Sequence, residues 1–441
     1  MNRFISLLIV FLSSTLHAQD GFVWDSKHDK IKIPFESVYN LIVIPVDVNG
    51  SKLNMLLDTG AENSIIFSLS DRDSIEFQHP KKINLRGLGS DQTIEALESN
   101  HNKINISGYK NDDFSLQIVL NQDVNFSARL GVPVNGILGY AFFQNHILEI
   151  NYQKKILTIH KDKRVLSSRK LKNYHQFPIK VIDNRPYINV EMDLDDKKLT
   201  QLKLLIDIGL GDGLWLFEND SIKSSQNYFE DILGRGLSGD VFGKRSRINA
   251  LKFADFNIKE PLVCFPHKAY FPKSALVTGR NGSIGGGILH RFDLILDYSG
   301  QKMYLKKNIL FEKPFHYNMS GLEIEHSGIE YIPEKVAVTE KTGRNFAETQ
   351  GDIVYRANDF KYKFSLKPIF KVVSVRENSP AAIAGIKSGD KILRLNKRNI
   401  HKFTLQNISE LFQTEEGKWI YIDIERNGTP IAFKFQLKKI I

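Results

Sequence analysis

Cysteine is nearly absent from this chain: Cys264 is alone among 441 residues. One thiol excludes a disulfide framework and any metal site built on several thiolates. Proline is also sparse, at 14 residues, while 42% of the chain is apolar and 25% charged, which excludes a linker-dominated or disordered protein. No apolar run beyond the N-terminus approaches the roughly 20 residues that span a bilayer. Neither sign of charge dominates, since 60 basic and 50 acidic residues leave +10. The basic stretches, Lys161-Asp-Lys-Arg164 and Lys244-Arg-Ser-Arg247, are short and read as solvated surface, so no nucleic-acid partner is expected. The chain has no His-Glu-x-x-His helix, no Gly-x-Ser-x-Gly elbow and no phosphate-binding Walker loop. Its histidines are scattered, with His146, His160, His175 and His290 read as packing or surface residues. No metal and no cofactor is expected, and a serine hydrolase is disfavoured.

At roughly 100–200 residues per domain, the length allows two to four domains. Met1-Asn-Arg3, the short apolar run Phe4–Leu12 and the small residue Ala18 fit a secretory signal peptide over residues 1–18. An uncleaved anchor is the alternative. The expected location is outside the cytoplasm: periplasmic, associated with the cell envelope, or secreted. Cleavage would leave no transmembrane span. Cys264, after Leu262-Val263, reads as a buried inert thiol.

An internal repeat dominates the rest. Leu56-Leu57-Asp58-Thr59-Gly60-Ala61 returns as Leu205-Ile206-Asp207-Ile208-Gly209-Leu210, the aspartates lying 149 residues apart. Arg86-Gly87-Leu88-Gly89 returns within Gly234-Arg-Gly236-Leu237-Ser-Gly239. Asn135-Gly-Ile-Leu-Gly139 returns as Asn281-Gly-Ser-Ile-Gly285, and Leu148-Glu-Ile-Asn-Tyr152 as Leu294-Ile-Leu-Asp-Tyr298. Within each copy the pattern is β. Ile42, Ile44, Val46 and Val48 alternate before the tight-turn pair Asn49-Gly50; Leu53, Met55 and Leu57 then lead to Asp58. In the second copy, Ile188, Val190, Met192 and Leu194 alternate before an Asp-Asp-Lys-Lys turn. Leu202, Leu204 and Ile206 then lead to Asp207.

Each copy thus delivers a carboxylate into a glycine-bearing loop after a buried strand. Duplicated lobes commonly pack about a pseudo-twofold axis, where equivalent loops can meet. Two carboxylates so placed cannot both ionise easily and share a proton. One can then serve as base toward a water while the other, protonated, polarises a carbonyl.

These residues resemble the active-site loop of the retropepsin-like aspartic proteases. Ile137-Leu138-Gly139 is similar to the apolar-apolar-glycine element beneath that loop. Both lobes are fused here, as in bacterial two-lobed aspartyl proteases. The resemblance covers residues 36–160 and 174–307 and implies a mainly β fold of duplicated acid-protease lobes. It implies Asp58 and Asp207 as the catalytic pair, with Thr59, Gly60, Ala61, Ile208 and Gly209 supporting the loops. It implies Gly87, Leu88 and Gly89 as one flap over the bound peptide and Gly236, Leu237 and Gly239 as the other. The string from Gly234 to Gly239 also fits a dinucleotide GxGxxG, but no βαβ unit surrounds it. The second loop departs from the family's Asp-Thr/Ser-Gly: Ile208 has no hydroxyl to bond across to the opposite loop. A catalytically weak or inactive peptide-binding scaffold on the same fold is therefore the alternative to an aspartic endopeptidase.

The C-terminal region has another pattern. Ile369–Val375 reads as a strand, and Ser379-Pro380 caps and opens a short helix ended by Gly385. Ser388-Gly389-Asp390 turns into the strand Lys391–Leu395. Thr404 caps a helix carrying Leu405, Ile408, Leu411 and Phe412 on one side. Trp419–Ile424 and Ile431–Leu437 flank an Asn427-Gly428 turn. The string Ser379-Pro-Ala-Ala-Ile-Ala-Gly385…Ser388-Gly389-Asp390 resembles a PDZ domain of the bacterial type, an α+β module over residues 318–441. The resemblance implies binding of extended or C-terminal peptides, with Gly321, Leu322, Glu323, Ile324, Leu405 and Ile408 as groove candidates. It also requires an insertion over about 325–367, with the polar Thr339–Gly351 read as a loop. The expected partners are polypeptide substrates or C-terminal peptides, and two lobes in one chain allow a monomer.

Overall fold

The computed structural model describes residues 21–69, 74–90, 92–121, 124–194, 197–253, 255–271, 277–337 and 360–441. The leader read at residues 1–18 and the stretch Thr339–Gly351 lie outside them. The protein is mainly β, and its described strands form four sheets.

The first lobe begins from the tight hairpin Leu41–Val48/Ser51–Leu57. Asn49 and Gly50 turn it with φ of 49° and 89°, the positive values a two-residue hairpin loop requires. Ile42, Ile44, Val46, Val48, Leu53, Met55 and Leu57 are all buried in one core. Gly136–Leu138 pairs parallel to Met55–Leu57 and antiparallel to Ile65–Ile66. The second lobe repeats this arrangement. Arg185–Leu194 pairs with Lys197–Asp207, and Arg280–Gly285 runs parallel to Lys203–Asp207 and antiparallel to Leu214–Leu216.

A six-stranded sheet joins the lobes. From the first come Lys30–Pro34, Ile147–Asn151 and Ile156–His160; from the second come His175–Pro178, Phe292–Asp297 and Lys302–Lys307. Its centre is the antiparallel pairing of Leu148 with Leu296, Glu149 with Ile295 and Ile150 with Leu294. Leu148, Ile150, Leu294 and Leu296 are fully buried, so both lobes share one core.

The PDZ module forms the fourth sheet. Ser379 accepts a bond from the Ala382 N–H, and Thr404 forms a capping box with Asn407. The residues set apart as an insertion continue two strands: Leu322–Ala337 and Phe360–Val375 pair along their length, from Leu322 with Val375 to Ala337 with Phe360. The inward-facing backbone groups of Leu322–Ala337 pair across to Phe360–Val375, with register shifts at Glu323/Ile324 and His326/Ile329. Leu405, Ile408 and Phe412 point into the module's core. No helix among the described residues is long and apolar enough to cross a membrane.

Truncating the joint tests its weight. Leu148→Ala is expected to cost about 2–5 kcal/mol of unfolding free energy. Denaturant titration checks this, and both lobes are expected to unfold in one transition because they share that core.

Candidate active site

Each aspartate stands where a buried strand ends. The Asp58 N–H donates to the Leu138 carbonyl at 3.0 Å, anchoring the first loop to the glycine strand beside it. The opposing loops approach so closely that a methyl group on Gly209 would collide with the Asp58 carboxylate. That close approach, more than any turn, requires glycine there. The Asp58 and Asp207 carboxylates meet across the lobe boundary: a β-carbon on Gly60 would stand 3.1 Å from Asp58 Oδ1 and 3.0 Å from Asp207 Oδ2.

The two acids are not equivalent. Burial raises the pKa of Asp58, while N–H donors from Gly60 (2.7 Å) and Ala61 (3.2 Å) to its Oδ1 oppose that rise. Burial raises Asp207 well above the usual carboxylate range, and the neighbouring Asp58 charge raises it further. The two carboxyls therefore titrate as a pair that keeps one shared proton between them. Arg280 works against the rise at Asp207.

Thr59 ties the loops together. Its hydroxyl donates to the Ile206 carbonyl at 2.6 Å and accepts from the Ile208 N–H at 3.0 Å. Ile208, fully buried in the core, offers no hydroxyl in return. Two further cross-lobe bonds hold the loops, and sequence reasoning did not find them. The Asn40 amide donates to the Gly211 carbonyl at 3.0 Å, and Arg185 Nε donates to the Gly60 carbonyl at 2.9 Å. Both come from equivalent tight turns: Tyr39-Asn40 has φ of 48° and 66°, and Asp183-Asn184 has 47° and 63°. The signal available was the recurrence of a hairpin turn at matching places in the repeat.

The two flap candidates meet above the cleft. The Ser238 N–H donates to the Leu88 carbonyl at 3.0 Å, and the Gly87 N–H donates to the Ser238 hydroxyl at 3.1 Å. A β-carbon on Gly236 would overlap that Leu88 carbonyl, so the hairpin tips touch through backbone. Gly89 packs against Gly239 and donates to the Tyr270 carbonyl at 3.3 Å, while Leu237 packs against Gly87.

Beneath the flaps lies a cavity of about 1020 Å³ that holds both aspartates and continues to the PDZ module. Leu322, Glu323, Ile324, Leu405 and Ile408 line its far part, and Gly321 turns the chain just before them at φ 81°. These five groove candidates therefore border the cleft, with Leu322, Leu405 and Ile408 still buried in the module's core. The first-lobe helix Ser127–Leu130 lies beside them, and a β-carbon on Gly131 would stand 3.1 Å from the Leu405 side chain. Arg129 on that helix bonds to Asp240 in the second flap hairpin at 3.0 Å and lies 3.9 Å from Glu325 of the PDZ strand. A second chain of charges runs outward from the loop that follows Asp207. Asp212 pairs with Arg245 at 2.8 Å, Arg245 with Asp231 at 2.8 Å, and Asp231 with Arg376 of the PDZ module at 3.7 Å. Arg376 also covers the Phe229 ring at 4.1 Å. Burial and the Asp231 charge raise Glu323 to about 7. Cys264 is buried and donates to Asp212 at 3.2 Å, and burial holds its pKa well above the usual thiol range. No group of three metal-ligating side chains occurs among the described residues.

Residues 44–142 match the family described as aspartyl protease, and residues 371–426 match the PDZ domain family. The chain thus joins an aspartyl-protease-type region, retropepsin-like, to a PDZ domain. No curated protein matches it. Among solved structures it is similar to the aspartic proteinase from Irpex lacteus, with 11% identity and a TM-score of 0.43 over 64% of this chain and 99% of that one.

Two outcomes follow from this geometry. Thr59→Val leaves the Ile206 carbonyl and Ile208 N–H unpaired, and is expected to cost about 1–3 kcal/mol in a denaturant titration. Asp207→Asn is expected to stabilise. An acid whose folded pKa is raised contributes stability below its unfolded pKa and loses it as pH rises toward the folded value. The melting temperature of the variant should therefore gain on the wild type as pH rises above about 4, by at least about 2 °C at pH 7.

Proposed function

We propose that this protein is an aspartic endopeptidase. The observation that carries the reading is the meeting of the buried Asp58 and Asp207 carboxylates at the floor of a cleft closed by two flaps. Asp58 takes a proton from a water, whose oxygen attacks the peptide carbonyl. Asp207 donates the shared proton to the carbonyl oxygen as charge develops there. Collapse of the tetrahedral intermediate breaks the C–N bond: Asp207 takes a proton back from one hydroxyl of the gem-diol as the product C=O forms, and the proton held by Asp58 passes to the leaving amine. This cycle returns the pair to one proton. The closed flaps exclude bulk water, which strengthens both carboxylates' interactions with the substrate.

The PDZ module, by lining the far part of the same cavity, extends the surface that holds a polypeptide. Backbone pairing along an open strand edge would supply affinity without strict sequence demands. Leu322–Ala337 is such an edge, pairing only with Phe360–Val375 in its sheet. The leader-like pattern of Met1–Ala18 supports export to the periplasm, envelope or medium as the setting.

Hydrolysis of a peptide library at pH 4–7, with and without a pepstatin-type inhibitor, tests the reading. Asp58→Asn and Asp207→Asn are each expected to lower kcat/KM by about 10²–10⁴-fold. Activity should also fall as pH rises through the elevated pKa of Asp207, where the pair loses its proton. Cleavage indifferent to both substitutions would sink the assignment. Peptide binding without cleavage would instead favour a scaffold, the role to which the missing hydroxyl at Ile208 points.

A further inference from the structure

The walls of the cleft differ beside the dyad. In the first lobe, strand pairing sets Val43, Leu56, Ile137 and Ile65 side by side. In the second, the same pairings set Tyr187, Leu205, Ser283 and Trp215 side by side. Leu56 and Leu205 each precede their aspartate by two residues. They therefore share its face of the sheet, about 7 Å along the strand. One wall is thus aliphatic at this level, and the other carries a hydroxyl and an indole.

The larger difference lies at the next position along the glycine strands. The first lobe has Val134, buried in an apolar cluster with Ile65 and Ile137. The second has Arg280. Its side chain folds back along its own strand: Nη2 donates to the Ser283 hydroxyl at 2.7 Å and Nε to the Gly282 carbonyl at 3.2 Å. The guanidinium stands 5.4 Å over the Phe217 ring. Those contacts bring its charge to the level of Ser283, one side-chain position from Asp207, on the cavity wall.

Arg280 has no carboxylate within ion-pair distance among the described residues. Among acids, Asp207 acts on it through its charge without closing an ion pair, while Asp212 and Asp231 pair with Arg245, and Glu62 with Arg185 at 3.5 Å. Burial works against the charge on Arg280. A fixed, partly buried guanidinium on a binding wall favours a carboxylate, which it can meet with paired charge-assisted hydrogen bonds.

Resting on the hydrolytic reading above, we propose that Arg280 makes the second-lobe wall a carboxylate subsite. The protein takes substrates with an acidic side chain at one of the two residues flanking the cleaved bond and an apolar one at the other. The acidic side chain lies against Arg280 and Ser283, and the apolar one against Leu56, Ile65 and Ile137.

The test uses the full chain and peptides that place Glu, Gln, Lys or Leu at each flanking position in turn. At pH 6, kcat/KM for Glu should exceed that for Gln at least tenfold at one position only, with Leu preferred at the other. The preference should fade below about pH 4, where the substrate's own carboxyl takes a proton. In Arg280→Gln the Glu-to-Gln ratio should fall to about 1, and Arg280→Lys should restore part of it. Hydrolysis that depends on both aspartates but shows no Glu preference, or keeps it in Arg280→Gln, overturns the subsite and leaves the peptidase reading standing. Reduced-amide peptides carrying Glu or Gln give a readout independent of catalysis. Calorimetric binding at least tenfold tighter for Glu in the wild type, and equal in Arg280→Gln, supports the subsite even if no hydrolysis occurs. Equal binding in the wild type overturns it.

Discussion

The antiparallel pairing of Ile147–Asn151 with Phe292–Asp297 turns two half-sites into one. Each of these strands follows its lobe's glycine strand after a single short helix, Tyr140–Phe143 or Gly286–Leu289. Fixing one strand against the other therefore fixes the distance between the loops that hold Asp58 and Asp207. Bringing two carboxylates together under cover is unfavourable in itself. The joint offsets this with fully buried leucines and isoleucines from both lobes, so the acids are pressed together by apolar burial elsewhere.

Around the joint, polar bonds refine what packing brings close. Thr59 uses its hydroxyl both as donor and as acceptor, and so spans the boundary alone. The loss of its counterpart at Ile208 costs the loops one pair of bonds. The Asn40 and Arg185 contacts work at the same place, each reaching from one lobe's turn to the other lobe's loop. Farther out, the alternating charges Asp212, Arg245, Asp231 and Arg376 couple the Asp207 loop to the PDZ module. Each buried charge in that series has an opposite neighbour, which is the condition for keeping it charged away from water.

Much of this was legible in the sequence because it repeats. Period-two alternation marks Ile42–Val48 and Leu53–Leu57, and the recurrence near 147 residues marks the two aspartates and the two glycine hairpins. The PDZ helices announce themselves through Ser379-Pro380 and Thr404, since caps are local chemistry. What was hidden depends on distant partners. Nothing in the local sequence sets Arg129 apart, and only the fold puts it between Asp240 and Glu325. Arg280 likewise carries no local signal, and only its strand pairing places it on the cleft wall. The long arm of Leu322–Ala337 and Phe360–Val375 was hidden for another reason. Its charged residues give weak alternation, and its order comes from the backbone ladder more than from side-chain pattern.

Covalent duplication has a consequence beyond joining two lobes. A peptide has a direction, from amino to carboxyl end, whereas a pair of identical lobes has none and offers each wall twice. Such a pair cannot tell from its walls which way round a chain lies. Here Val134 and Arg280 occupy corresponding places, as do Thr59 and Ile208, and in each case the residues differ. A single gene copy could not encode that difference, because every substitution would appear on both sides. Fusing the halves removes the twofold equivalence and leaves a cleft whose two walls differ.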